Sequence, residues 1–185
     1  MVKALDAILG VACVSLFAKY DDPMRLKLYG LPGEYRLPAH GLEYRSLSNA
    51  WLSHPFITNL VFDLARKALV FGEKGYRKYW NASDEEVIRC MVDCDVELAH
   101  EIMERNKRLF CGIIKASYNW ASDATIEMLY NVFYNGMESA INDPSDFVKN
   151  WKLSPSSWIR HTGARTEPNV ICYTDNMYNN NRFKF

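Results

Sequence analysis

The sequence carries no excess of either charge: Lys and Arg number 22, and Asp and Glu number 22, in 185 residues. That balance excludes binding of nucleic acid by bulk charge, so any RNA contact has to come from a few placed cations. It also removes long-range repulsion between copies, which favours self-association. A paired cysteine pattern is missing. Cys13, Cys90, Cys94, Cys111 and Cys172 are odd in number and irregular in spacing, and read as reduced thiols of an intracellular protein, not as a disulfide frame. No stretch is long enough to cross a bilayer as a helix. The apolar segment over residues 4–17 is too short and carries Asp6. We read it as an amphipathic N-terminal helix or a strand docking on a neighbour, ahead of a signal-peptide hydrophobic region following Lys3. Internal repeats and long low-complexity runs are absent. So are a phosphate-cradling glycine loop and a nucleophile elbow. His40, His54, His100 and His161 are scattered, with no triad setting. These absences leave no catalytic constellation, and the expected assignment is non-enzymatic, with no cofactor.

Apolar residues make up 49% of the chain, enough for a core. The length fits one domain with tails. Residues 1–46 read as an N-terminal extension: the apolar segment, then an irregular stretch with short strands, punctuated by Pro23, Pro32, Pro38, Gly30, Gly33 and Gly41. Residues 47–153 read as helical. Pro55 suits a first turn, and Ile57, Leu60, Val61, Leu64, Ala68 and Leu69 follow with a helical period. Gly72 and Gly75 break that run. Ser83 with Glu86 forms a capping box, and behind it the spacing predicts one long helix, from Val87 through Met91, Leu98 and Ile102 to Ile113. Ser122 or Asp123 caps a further helix, which Asn142-Asp-Pro144 stops. The expected fold is all-α, an antiparallel four-helix bundle. Residues 154–185 hold Trp158, Ile171, Tyr173, Tyr178, Phe183 and Phe185, and read as an extended C-terminal arm.

Two patterns resemble metal sites. Glu97 and His100 match one Glu-x-x-His element of di-iron bundles, but the second element is missing. Cys90 and Cys94, one turn apart, lack the second pair of a structural zinc site and read as core filler. No metal is therefore expected. The basic cluster of Arg105, Lys107, Arg108 and Lys115 has two readings. One is a solvated face, with Glu101 and Glu104 four residues before Arg105 and Arg108. The other is a short row of phosphate contacts.

Several short segments weight the second reading. Leu47-Ser-Asn-Ala-Trp51, the pair Tyr76 and Trp80, Arg105-Asn-Lys107, Asp123-Ala-Thr125, and Phe147 with Leu153 occur in this order. Together they resemble the coat proteins of rod-shaped helical plant RNA viruses, the tobacco mosaic virus-like superfamily with its tobamo-, furo-, hordei- and benyvirus branches. The resemblance covers residues 47–153. It implies a structural coat subunit that self-assembles into helical rods and packages single-stranded genomic RNA. Its partners would be that RNA and copies of itself in a helical homo-oligomer, with no small-molecule substrate. The protein would be found in the virion, and in the host cytoplasm during assembly. Arg105, Lys107, Asp123 and Thr125 would be the RNA-binding residues, and helix geometry adds Arg108. No acid lies between Arg108 and Asp123, and Trp120 stands near where the family has an arginine. The competing readings are a helical, non-enzymatic viral or phage accessory protein, and a metal-dependent bundle enzyme using Glu97 and His100.

Overall fold

The first helix, α1, is apolar apart from Lys3, Asp6 and Ser15, and a helix so apolar is stable only when most of its surface is covered. It runs through an α turn, Val2–Ala4, a π segment, Leu5–Gly10, and an α segment, Val11–Phe17. In the computed structural model, which describes residues 1–22 and 24–152, it is the centre of the unit formed by Met1–Ser145. Eight residues further, α2 is a single turn, Arg25–Leu28. A two-stranded antiparallel sheet follows, β1 Tyr35–Arg36 and β2 Glu43–Tyr44, with Tyr35 opposite Tyr44 and Arg36 opposite Glu43. Five longer helices complete the body: α3 Pro55–Glu73, α4 Asp84–Val92, α5 Val96–Arg105, α6 Lys107–Ser117 and α7 Asp123–Asn135.

Around α1, helix α3 packs on the π segment, while α5 and α7 pack on Val11–Phe17. Helix α4 touches both parts, and α6 bridges α3 and α7. Ile8, Leu9, Leu16 and Phe17 from α1 are almost wholly buried, among Ile57 and Leu60 of α3, Ile102 of α5 and Phe133 of α7. Gly10 lets α4 approach closely, because a Cβ there would lie 2.5 Å from the Met91 sulfur. The described chain is thus mostly helical with one small sheet. Its centre is the N-terminal helix, and this differs from the expected four-helix bundle with the N-terminal segment as an extension.

The predicted long helix is three helices. Cys94 sits at φ 50°, a left-handed conformation that ends α4. Asp95 then caps α5, its carboxylate accepting from the Leu98 N–H at 2.9 Å. At Asn106 the backbone leaves helical geometry (φ −114°), separating α5 from α6. The last long helix stops at Gly136, well before Asn142, and Met137 and Ile141 reach the core from a 3₁₀ turn and the residues after it. The capping box at Ser83 and Glu86 and the Ser122 cap are present as expected.

Met1–Ser145 forms one compact unit. The second begins at Asp146, with α8 Phe147–Asn150 capped by the Asp146 carboxylate. The expected C-terminal arm, Cys172 and Leu153 lie outside the described residues. No helix of the described residues is long and apolar enough to cross a membrane.

Candidate functional site

A cavity of about 620 Å³ opens between the π segment, α3 and the strand-and-turn segment that precedes α3. Helical spacing builds two of its sides. Leu5 and Leu9 project from α1 four residues apart, and Val61, Ala65 and Leu69 project from α3 at the same interval. The third side carries Tyr44, Arg45 and Trp51. The Trp51 turn is pinned from two directions. Ser48 Oγ accepts from the Ala50 N–H at 3.1 Å, and Thr58 Oγ1 donates to the Trp51 carbonyl at 2.9 Å. The Trp51 ring then meets Phe62 edge-on, with centroids 5.3 Å apart.

Tyr44 ties this wall to the core. Its hydroxyl donates to Asp6 Oδ1 at 2.7 Å. Asp6 lies in the π segment, 6% exposed. Burial raises its proton affinity, and bonds from Tyr44 and the Gly33 N–H partly offset that. Burial and the neighbouring Asp6 together hold the Tyr44 phenol well above its ordinary value, so it stays a donor.

Arg45 stands at the cavity margin with loose partners. It is 3.5 Å from Glu34 and 3.6 Å from Glu43, both beyond hydrogen-bond length. Each acid is committed elsewhere. Glu34 Oε2 accepts from the backbone N–H groups of Gly30 and Leu31, and Glu43 Oε2 accepts from Arg36 at 2.6 Å. Arg25 shows the opposite state: it donates twice to Asp21, at 2.8 and 3.1 Å, and once to the Ser46 carbonyl at 3.0 Å.

The residues singled out from the sequence lie elsewhere, at the ends of α5, α6 and α7. Arg105 crosses to Glu86 at 2.7 Å. Lys107 pairs with Glu127 at 3.0 Å and lies 5.2 Å above the Tyr130 ring. Asp123 pairs with Lys115. The Thr125 N–H donates to Ser122 Oγ at 3.2 Å. Arg108 is exposed, with no ion pair among the described residues. No side-chain hydrogen bond or ion pair joins any two of these five among the described residues, and each of the other cations in the cluster faces an acid.

His100 is occupied structurally. Its Nε2 lies 2.7 Å from the Tyr134 carbonyl and 2.9 Å from Ser15 Oγ, and its ring stacks on Tyr134 at 4.1 Å. Ser15 also donates to that carbonyl, at 2.7 Å. The pair therefore satisfies a carbonyl at the end of α7. Ser15 is 4% exposed, so this contact is closed to a substrate. Burial pushes the Cys90 thiol up to about 12 and raises Cys13 and Cys94 as well, which keeps all three protonated. Among the described residues, no group of three or more His, Cys, Asp and Glu could hold a metal ion.

Sequence reasoning missed Tyr44, Arg45 and Trp51 as a group, because only the fold brings them over the π segment. Asp6 did leave a signal: an isolated acid inside an apolar run must find partners when the run is buried.

Residues 1–153, which include every described residue, match the family model described as "Phage phiEco32-like COOH.NH2 ligase-type 2". No curated protein matches the chain, and no solved structure matches it. The family match overturns the resemblance to rod-shaped virus coat proteins, which rested on five short segments. With it fall the non-enzymatic coat assignment, RNA and a helical homo-oligomer as partners, the exclusion of a small-molecule substrate, and the virion and host-cytoplasm localisation. The non-enzymatic accessory-protein reading gains nothing from it either. The chain belongs to the phage phiEco32-like COOH.NH2 ligase-type 2 family.

Proposed function

We propose that this protein takes part in joining a carboxyl group to an amino group, and that the cavity beside Tyr44, Arg45 and Trp51 holds one of the two reactants. The observation that carries the reading is the family match across residues 1–153. The chemistry sets what such a protein must do. A carboxylate is a poor electrophile because its oxygen is a poor leaving group, and an ammonium ion is no nucleophile. The carboxyl oxygen has to be converted to a leaving group by an energy-rich co-substrate, such as a nucleoside triphosphate. The amine has to lose a proton before it attacks the carbonyl carbon.

The described residues suit the holding and shielding parts of this task. A largely apolar lining holds water weakly, and a bound reactant would displace it, which matters because water competes with the amine for an activated acyl group. Ligand sites are commonly apolar clefts of this size with few polar groups. Here Arg45, Glu43 and Asn49 are those groups.

The test uses the full chain with ATP and magnesium, a panel of carboxylates and a panel of amines. Phosphate or diphosphate release is measured with each alone and with both. Expected is release that depends on both, with the amide product found by mass spectrometry. Release that ignores the amine, or the absence of any amide across the panels, overturns the proposal.

A further inference from the structure

We infer that the reactant held in the cavity is the carboxylate, carried on an extended apolar or aromatic body, with Arg45 receiving its charged end. This rests on the ligase reading of the same cavity and deepens it by naming the substrate class.

Three observations converge. The first is shape and lining. The cavity has room for a body of two fused rings, and Tyr29, Tyr44, Trp51 and Phe62 give it aromatic surface beside the aliphatic floor of Leu5 and Leu9. Aromatic walls favour a flat apolar body over a small polar one. The second is the state of the Arg45 guanidinium. Its five N–H donors form a fork that matches a carboxylate, yet its two acidic neighbours stand at 3.5 and 3.6 Å and are hydrogen-bonded to other groups. An incoming carboxylate can take those donors without stripping Glu34 or Glu43 of their own bonds. The third is the contrast with the other arginines near the cavity. Arg25 and Arg36 are both hydrogen-bonded to acids, so they cannot receive a ligand without losing a partner.

The charge balance also limits the alternatives. Glu43 lines the cavity and could receive an ammonium group instead. Its Oε2 is already taken by Arg36 at 2.6 Å, and its Oε1 faces Arg45, so an ammonium would sit against a guanidinium. The same geometry means that Glu43 opposes a bound carboxylate, and removing its charge should help binding.

Three probes separate these cases: 3-(2-naphthyl)propanoate, the matching alcohol and the matching amine. Each is titrated calorimetrically into the full chain at low salt, without nucleotide. The carboxylate is expected to bind at least about tenfold tighter than the alcohol or the amine, the scale of a charge-assisted hydrogen bond. Arg45→Gln should erase that tenfold and leave alcohol binding unchanged. Glu43→Gln should tighten carboxylate binding. Ala65→Trp, which fills the cavity from α3, should abolish binding of all three. Arg45 is exposed, so its substitution reads out even where Ala65→Trp does not fold. Equal affinity for carboxylate and alcohol, tighter amine binding, or an Arg45→Gln variant with undiminished preference overturns the inference. Tight carboxylate binding without any amide formation overturns the ligase reading alone. Amide formation by a folded Ala65→Trp chain overturns this inference and the placing of a reactant in this cavity, and leaves the ligase activity standing.

Discussion

A single buried amide holds the junction between α5 and α6. Asn106 is 3% exposed and uses both ends of its side chain. Its Oδ1 accepts from the Asn81 N–H at 2.7 Å, while Nδ2 donates to the carbonyls of Ile102, at 2.8 Å, and Asn81, at 3.3 Å. Removing it takes the side-chain partner from the Asn81 N–H and carbonyl, and one of two donors from the Ile102 carbonyl, which also accepts from the Asn106 N–H at 3.2 Å. We expect Asn106→Ala to lose about 1–3 kcal/mol of unfolding free energy. Asn106→Asp should be worse at neutral pH, because it turns an oxygen towards the Ile102 and Asn81 carbonyls. Urea denaturation decides this, and an alanine variant within about 0.5 kcal/mol of wild type would refute the role. The sequence presents Asn106 as the middle of a basic triplet, and its neighbours Arg105 and Lys107 drew the functional reading. What the residue does depends on Asn81, twenty-five positions away, and nothing in the local pattern reports that. The same limit applies to Arg45, whose loose ion pairs become visible only once Glu34 and Glu43 are placed beside it.

Caps were the most legible feature at the scale of elements, because a cap is local chemistry. Ser83 Oγ accepts from the Glu86 N–H at 3.1 Å, and the Glu86 carboxylate accepts from the Ser83 N–H at 2.7 Å. Ser83→Ala should therefore cost about 1 kcal/mol in urea denaturation. A further loss in the double variant with Glu86→Ala should fall short of the sum of the singles, since each removes the partner of the other. Full additivity would show that the reciprocal bond contributes nothing. Helix breaks were less legible than caps. Periodicity runs on from Val87 to Ile113 across Cys94 and Asn106, because all three helices keep an apolar face to the same core. The cap at Asp95 was in the sequence as a signal of a restart, but an Asp inside a continuing apolar stripe reads equally well as a solvated position.

At the scale of the whole Met1–Ser145 unit, the packing is organised around α1, and its ionisable groups respond to pH in two opposed ways. Asp84 binds Lys3 of that helix and also Arg77, and both contacts hold its carboxyl below the usual range. Glu86 is held down by the Ser83 backbone and Arg105. Such groups contribute stability that is present above their unfolded values and lost as pH falls through the folded ones. Asp6 acts in the other direction. Burial raises its folded value, so its contribution is complete below the unfolded value of about 3.9 and is lost as pH rises through the folded value. The folded state binds the extra proton in that window, which gives stability a negative slope with pH. Asp6→Asn keeps an acceptor for the Tyr44 hydroxyl and removes the titration. The stability of this variant relative to wild type should therefore rise from about pH 4 through the folded value and then level off. Urea unfolding of both chains between pH 4 and pH 8 measures that difference. A difference that stays flat across the range would show that Asp6 titrates as an exposed acid does, and that its bond to Tyr44 is open to water. The apolar run of α1 is visible in the sequence, but it reads there as an amphipathic helix or docking strand of an extension, and only the packing makes it the core. That the core helix buries an acid is signalled by Asp6 inside an apolar run, but its partners Tyr44 and Gly33 come from a distant segment that only the fold sets beside it.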